Sequence, residues 1–361
     1  MKLTRREFIK MLSITPLFLS GMGKGEGKKE AYYYKQIGSN KVRCLNCPHR
    51  CVLSPGQRGI CRVRENIRGK LFTLVYGNPC AVHIDPIEKK PLFHFLPQAS
   101  ALSIATAGCN FRCKNCQNWT ISQKTPEETE NYYLPPLEVV RTAERENIPI
   151  IAYTYSEPSI FYEYMLDTAE IARGNGLKNV WVTNGFLNPD PLSELCKYID
   201  AANVDIKWFT EELYGKISGG SLAPVLSTCK TLVKNKVHLE ITNLVVPTLN
   251  DDKEMLKELV LWIKKNLGTD IPLHFSRFFP MYKLKHLPPT PVATLQTARE
   301  IALNEGLHYV YIGNYPGGDR ENTRCPECGK LLIRRKGYMV LENNIVDGKC
   351  KFCGHEIYGV W

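Results

Sequence analysis

From residue 101 onward the chain alternates short β-branched, apolar runs with longer stretches of helical period. The runs at 102–107, 149–155, 180–183, 204–208, 238–246, 273–279 and 309–312 predict strands. The stretches at 137–146, 160–175, 191–200, 224–235, 253–267 and 292–305 predict helices between them. Strand and helix in turn imply βα units and a parallel sheet. Six or seven such units close, or partly close, into an α/β barrel, whose chemistry gathers at the C-terminal ends of the strands. Residues 30–95 differ. They are punctuated by Cys, Pro and Gly and show little period, which predicts a small metal-stapled lead-in. No internal repeat or low-complexity tract interrupts the pattern.

The chain has 361 residues, of which 43% are hydrophobic and 23% charged; wholesale disorder, a fibre and a multi-span membrane protein are excluded. Lys and Arg number 47 against 36 Asp and Glu, a net charge of +11. Much of this excess is terminal: residues 1–29 hold seven basic and two acidic residues, and residues 320–361 hold eight and five. A nucleic-acid surface needs a basic patch on a folded face, so specific nucleic-acid binding is not expected.

Thr4-Arg-Arg-Glu-Phe-Ile-Lys10 precedes a short apolar stretch broken by Pro16. The stretch is too short to span a bilayer. Adjacent arginines before a short apolar segment match a twin-arginine export signal, with no clear cleavage site. A basic amphipathic start without an export role is the alternative. Residues 1–29 are therefore set apart from the fold.

The 14 cysteines decide the chemistry. Eleven fall into three tight groups, which in a chain of this length suggests metal thiolates more than disulfides. Cys109, Cys113 and Cys116 are spaced C-x3-C-x2-C directly after the first predicted barrel strand. Three thiolates on one loop can hold three irons of a [4Fe–4S] cube and leave the fourth open to an external chelator. The amino and carboxylate groups of S-adenosylmethionine (SAM) fit that role. A structural zinc knuckle is the bland alternative, but no fourth ligand is adjacent. Cys325, Cys328, Cys350 and Cys353 are spaced C-x2-C-x21-C-x2-C, with Gly after the second and fourth, and read as a zinc ribbon. Its role is stapling or protein docking; loss of Cys350 is expected to loosen the tail without abolishing cluster assembly. Cys44, Cys47, Cys51 and Cys61 are spaced C-x2-C-x3-C-x9-C. Four thiolates there close a zinc site or a second iron–sulfur cluster, and a disulfide pair stays open for an exported protein. His49 reads as a solvated loop residue. Cys80, Cys196 and Cys229 read as buried or incidental thiols.

The central motif, its place after the first strand and the Gln117-Asn118-Trp119 that follows resemble the radical SAM enzymes, and more closely the pyruvate formate-lyase activating-enzyme branch. Within that branch the order of motifs resembles the radical SAM enzyme of the AmmeMemoRadiSam system, over roughly residues 40–330. The resemblance implies a partial (β/α)6 TIM-like barrel of the radical SAM type over residues 99–318. It is flanked by a Cys-rich N-terminal region, 30–98, and a zinc-ribbon-like module, 319–361. It also implies one-electron cleavage of SAM to a 5′-deoxyadenosyl radical, a low-potential electron donor, a protein or peptide target, and partners of the AMMECR and Memo families.

Further residues match the family in order. Tyr155-Ser156-Glu157-Pro158 takes the place of the Gly-Gly-Glu-Pro loop that binds the SAM amino group. Glu157 keeps the charge, while Tyr155 and Ser156 replace glycines, which reach dihedrals other residues avoid. Thr183 and Asn184 stand in a Thr-Asn-Gly. Lys207, beside Asp205 in Val-Asp-Ile-Lys, is the candidate for the SAM carboxylate. Asn243 is placed near the adenosine and His274 near the ribose. Asp205 and Lys207 could equally be an ordinary ion pair, and His274 a core histidine. In the family-like stretch 85–95, Lys89, Lys90 and His94 are either a polar linker or residues at the barrel mouth.

Two other classes stay open: an iron–sulfur electron carrier without SAM chemistry, which leaves the long βα body unexplained, and a zinc-dependent binding module. The compartment is in conflict, because the leader points to export while SAM and low-potential electrons belong to the cytoplasm.

Overall fold

The computed structural model describes residues 27–315 and 318–361. The twin-arginine motif lies outside them. No helix among the described residues is long and apolar enough to cross a membrane.

One eight-stranded sheet forms the body. Its strands are β1 (Ala81–Pro86), β2 (Ser100–Ala105), β3 (Ile150–Tyr153), β4 (Lys178–Thr183), β5 (Ala201–Asp205), β6 (His238–Val245), β7 (Leu273–Arg277) and β8 (Val310–Gly313). They are hydrogen-bonded in chain order, and β2 to β8 run parallel. The crossovers carry α1 (Pro136–Arg145), α2 (Tyr162–Gly174), α3 (Pro189–Leu195), α4 (Leu222–Lys234), α5 (Lys253–Leu267) and α6 (Val292–Asn304). Strands β1 and β8 are the two edges, so the barrel is partial. Buried on both faces, the parallel strands are near-continuous apolar runs, which is why they stood out in the sequence. Helix starts follow local chemistry: Pro136 opens α1 where its missing N–H costs nothing. The Asp252 carboxylate accepts from Glu254 N and Met255 N to cap α5.

Two expectations shift. Strand β5 ends at Asp205 rather than 208, because Ile206 and Trp208 are fully buried yet lie in the loop. Residues 81–86, left within the Cys-rich region by the sequence, form β1, which pairs antiparallel with β2 (Asp85 opposite Ala101).

The N-terminal lobe comprises two three-stranded sheets. One holds Lys29–Glu30, Arg64–Ile67 and Lys70–Thr73, the other Tyr34–Gln36, Val42–Cys44 and Val52–Leu53. A buried ion pair ties the lobe to α2: Arg64 Nη1 and Nη2 donate to the two Glu163 oxygens at 3.0 and 2.6 Å. The C-terminal module has antiparallel strands Thr323–Arg324, Leu331–Lys336 and Met339–Asn343 and the pair Ile345–Val346 and Lys349–Cys350. It is anchored under the barrel. Arg335 Nη2 donates to Phe93 O at 2.6 Å, Leu96 N to Val360 O at 2.7 Å, and Val360 N to His94 O at 2.8 Å.

Candidate functional site

The loop 108–119 leaves the C-terminal end of β2 and carries Cys109, Cys113 and Cys116. Neighbouring backbone fixes it: Arg112 N donates to Ser218 O at 2.7 Å and Lys114 N to Ile217 O at 3.0 Å. Two glycines make room. Gly108 has φ +94°, and a Cβ there would lie 2.5 Å from Cys61 O. A Cβ on Gly220 would lie 2.2 Å from the Phe111 ring. Phe111 N donates to Cys109 Sγ at 3.3 Å, Cys113 Sγ lies 3.3 Å from Ser218 Oγ, and Cys116 Sγ lies 3.1 Å from Ser122 Oγ. Burial pushes the Cys109 thiol far up, and the Glu157 charge adds to it. Burial raises Cys113 to about 11, although Lys207 and the Ser218 hydroxyl pull the other way. Thiols this hard to ionise are held neutral until a cation makes the thiolate favourable, which is the behaviour of metal ligands.

Glu157, 3% exposed, is gripped by donors rather than free. One oxygen accepts from Ser159 N, Ser159 Oγ and Thr183 Oγ1, and the other from Asn184 N at 2.7 Å. Burial nevertheless raises its pKa, the hydrogen bonds offsetting only part of that. Asn184 Nδ2 donates to Asn110 Oδ1 at 2.8 Å, and Asn118 Nδ2 donates to Tyr155 O at 2.7 Å. The ends of β3 and β4 are thus tied directly to the cysteine loop.

Tyr155 takes the glycine conformation of its motif, with φ +62°. Its hydroxyl donates to Asp85 Oδ2, and its ring lies 4.5 Å from Lys90 Nζ. Lys207 Nζ donates to Asp205 Oδ2 at 2.7 Å. Burial lowers the Lys207 pKa, but the Asp205 carboxylate and Cys113 more than reverse this and raise it overall. Asn243 Nδ2 donates to Ile206 O at 2.8 Å.

The structure brings together Tyr155, Ser156, Glu157, Thr183 and Asn184 with the cysteine loop, and Lys207 with Cys113. His274 stands apart. It is the second residue of β7, and its Nε2 meets Glu240 Oε2 at 2.6 Å while its ring stacks on Tyr311. Glu240 also accepts from His238, so these groups form a buried network at the barrel base. His94 belongs there too: Nδ1–H donates to Tyr358 O, and Nε2 accepts from Tyr311 OH. That placement excludes His94 from the mouth. Lys90, 1% exposed, is paired with buried Asp85 at 2.6 Å inside the barrel. His49 is not solvated; its Nε2 meets Asn110 O at 2.8 Å and its ring packs on Phe186. Asn110, Asn118, Ser122 and Ser218 support the cysteine loop and were missed, because their partners are distant in sequence.

The residues present fit an iron–sulfur cluster with a polar chelating ligand. Three thiols share one loop that leaves no fourth protein thiol on it. Ser156 Oγ, Asn243 Oδ1 and Asn115 Oδ1 are buried without a hydrogen-bond partner, an expensive state that a polar ligand relieves. In the ribbon, Cys325 Sγ lies 3.6 Å from Cys353 Sγ, and Cys328 Sγ 3.8 Å from Cys350 Sγ. Those are edges of a four-thiolate tetrahedron, and all four sulfurs lie within 4.8 Å of one another.

Residues 103–260 match the Radical SAM superfamily. The uncharacterized protein MJ0808 of Methanocaldococcus jannaschii is 48% identical over 331 residues, 91% of this chain and 98% of that protein. The pyruvate formate-lyase-activating enzyme of Staphylococcus epidermidis is 24% identical over 219 residues, 57% of this chain and 86% of that enzyme. Streptococcus suis SuiB bound to S-adenosylmethionine aligns with 63% of this chain and 53% of its own at 14% identity, TM-score 0.48. The chain belongs to the radical SAM superfamily, whose members employ a [4Fe–4S] cluster and SAM.

Proposed function

We propose that Cys109, Cys113 and Cys116 ligate the catalytic cluster and that the chain cleaves SAM to act on a protein or peptide. The observation that carries this reading is the convergence on one cysteine loop of Glu157, Asn184 and Lys207, with the unpartnered Asn243 and Ser156 oxygens. When bound, the cluster and SAM supply one-electron cleavage of the sulfonium to methionine and a hydrogen-abstracting 5′-deoxyadenosyl radical.

The chain's own residues do the positioning. Glu157, locked by four donors, presents its charge toward the SAM ammonium without rotamer loss. Lys207 stays protonated beside Cys113 and faces the SAM carboxylate. Asn243 offers its free oxygen to an adenine or ribose donor, and His274 acts from the base as a packing residue. The match to a pyruvate formate-lyase-activating enzyme supports a protein target, a glycyl residue being the form that name implies. In this reading the ribbon holds zinc, the AMMECR and Memo proteins are binding partners to be tried in pull-downs, and fractionation of tagged chain tests the twin-arginine leader.

The direct test is anaerobic. Reconstituted, reduced wild type given SAM forms 5′-deoxyadenosine, and Cys113→Ala does not. No product from wild type with an intact, reduced cluster refutes the reading.

A further inference from the structure

The four N-terminal cysteines enclose a second site whose metal their spacing in sequence left open. Cys44 ends its strand, Cys47 and Cys51 lie on the following loop, and Cys61 precedes Arg64–Ile67. Cys44 N donates to Cys51 O at 3.0 Å and Gly59 N to Arg64 O at 2.9 Å, which folds the two loops against each other. All four cysteines line one cavity together with Gly59 and Arg64. Gly59 is small where it must be: a Cβ there would lie 3.6 Å from Cys51 Sγ and 3.7 Å from Cys61 Sγ.

Arg64 is the second, independent observation. It is 2% exposed, and its two Nη groups are taken by Glu163. Its Nε–H is buried with no partner, on a residue that lines the cavity. An orphaned guanidinium N–H among four sulfurs is a donor waiting for an anionic sulfur centre.

Geometry separates zinc from a cube. Tetrahedral zinc with Zn–S near 2.3 Å sets its thiolates about 3.8 Å apart. The ribbon pairs, at 3.6 and 3.8 Å, have that spacing. Among the described residues, the ribbon is the group of three or more ligand side chains with all ligand atoms within 4.8 Å. The N-terminal four are drawn wider, as are Cys109, Cys113 and Cys116. A cube needs the wider spacing, since each thiolate caps a different iron. The two wide groups also touch: His49 Nε2 meets Asn110 O at 2.8 Å, and Arg112 Nη2 donates to Ile60 O at 2.6 Å.

We propose that Cys44, Cys47, Cys51 and Cys61 hold a second [4Fe–4S] cluster, with Arg64 Nε–H donating to its sulfur, in direct contact with the loop of the first. This rests on the radical SAM reading only for the iron at that first loop.

The test counts metal on the full chain, prepared anaerobically with iron, sulfide and zinc present. Wild type is expected to hold about eight irons, and the triple variant Cys109→Ala, Cys113→Ala, Cys116→Ala about four, with the low-temperature EPR signal of a reduced [4Fe–4S] cluster. The triple variant Cys47→Ala, Cys51→Ala, Cys61→Ala is expected to hold about four. Wild type with about four irons and two zincs, together with an iron-free first-loop variant, overturns the proposal. If the N-terminal variant fails to fold, the first-loop variant still decides, because its iron can sit only on the N-terminal group. Iron retained there but absent from the N-terminal variant supports this proposal and refutes the catalytic reading instead.

Discussion

Tyr155 offers a test in which two opposed effects can be separated. It occupies a left-handed backbone conformation, φ +62°, that disfavours any residue with a Cβ by about 1–2 kcal/mol. Its side chain offsets this. The hydroxyl donates to the Asp85 carboxylate, a charged hydrogen bond of about 1.5–3 kcal/mol. The Lys90 ammonium 4.5 Å from the ring adds about 1–2 kcal/mol, and burial of the ring contributes about 2 kcal/mol more. The side chain wins, so Tyr155→Gly is expected to lose about 3–5 kcal/mol although it relieves the backbone. Tyr155→Ala removes the same contacts but keeps the strained Cβ, and should be about 1 kcal/mol less stable than Tyr155→Gly, against the usual order of those residues. For a domain of this size that gap is about 2–4 °C in Tm. Thermal midpoints of the iron-loaded variants, taken at one scan rate, provide the assay. Alanine equal to or above glycine would show that residue 155 does not hold the left-handed turn, and the account of this loop would fail.

Three further outcomes follow from the site and the barrel base. Asn243→Ala should weaken SAM binding about 5- to 50-fold, one or two lost hydrogen bonds, by equilibrium dialysis against cluster-loaded protein; unchanged affinity would place Asn243 outside the ligand's reach. Burial holds the His94 imidazole down at about 3, below its unfolded value near 6.5. The unfolded chain therefore binds the extra proton, and stability falls as pH drops from about 6.5 toward 3, by at most about 1.4 kcal/mol per pH unit from this group. His94→Gln should flatten that part of the wild-type profile in urea titrations, and parallel profiles would count against it. Stripping the ribbon's metal with a chelator should lower the barrel's unfolding midpoint as well as loosening the tail, because Phe93, His94 and Leu96 are held by Arg335, Tyr358 and Val360; a barrel transition that does not move would sink this coupling.

What the sequence disclosed, and what it hid, divides by range. The seven parallel strands showed because burial on both faces makes each an apolar run. Strand β1 did not, since at an edge it reads Ala-Val-His-Ile-Asp-Pro, too polar to stand out. The cysteine triad was legible because its chemistry is local, three thiols within eight residues. The supports of that triad were not, since Asn184 reaches Asn110 across 74 residues and Cys113 reaches Ser218 across 105. His274 shows how position along a strand decides a role that residue type leaves open. It starts a strand whose far end faces the cysteines. Three residues of parallel strand separate it from Arg277, about 10 Å of rise. An imidazole cannot cover that distance while its Nε2 is engaged with Glu240 at 2.6 Å. Asn243, by contrast, lies two residues from the end of β6, and its side-chain oxygen is unpartnered. Of two polar residues on neighbouring strands, the one nearer the C-terminal end is left with hydrogen-bonding capacity for a ligand. The one nearer the start has both ring contacts and charge partner within the base, so its substitution should be felt in stability before it is felt in SAM affinity.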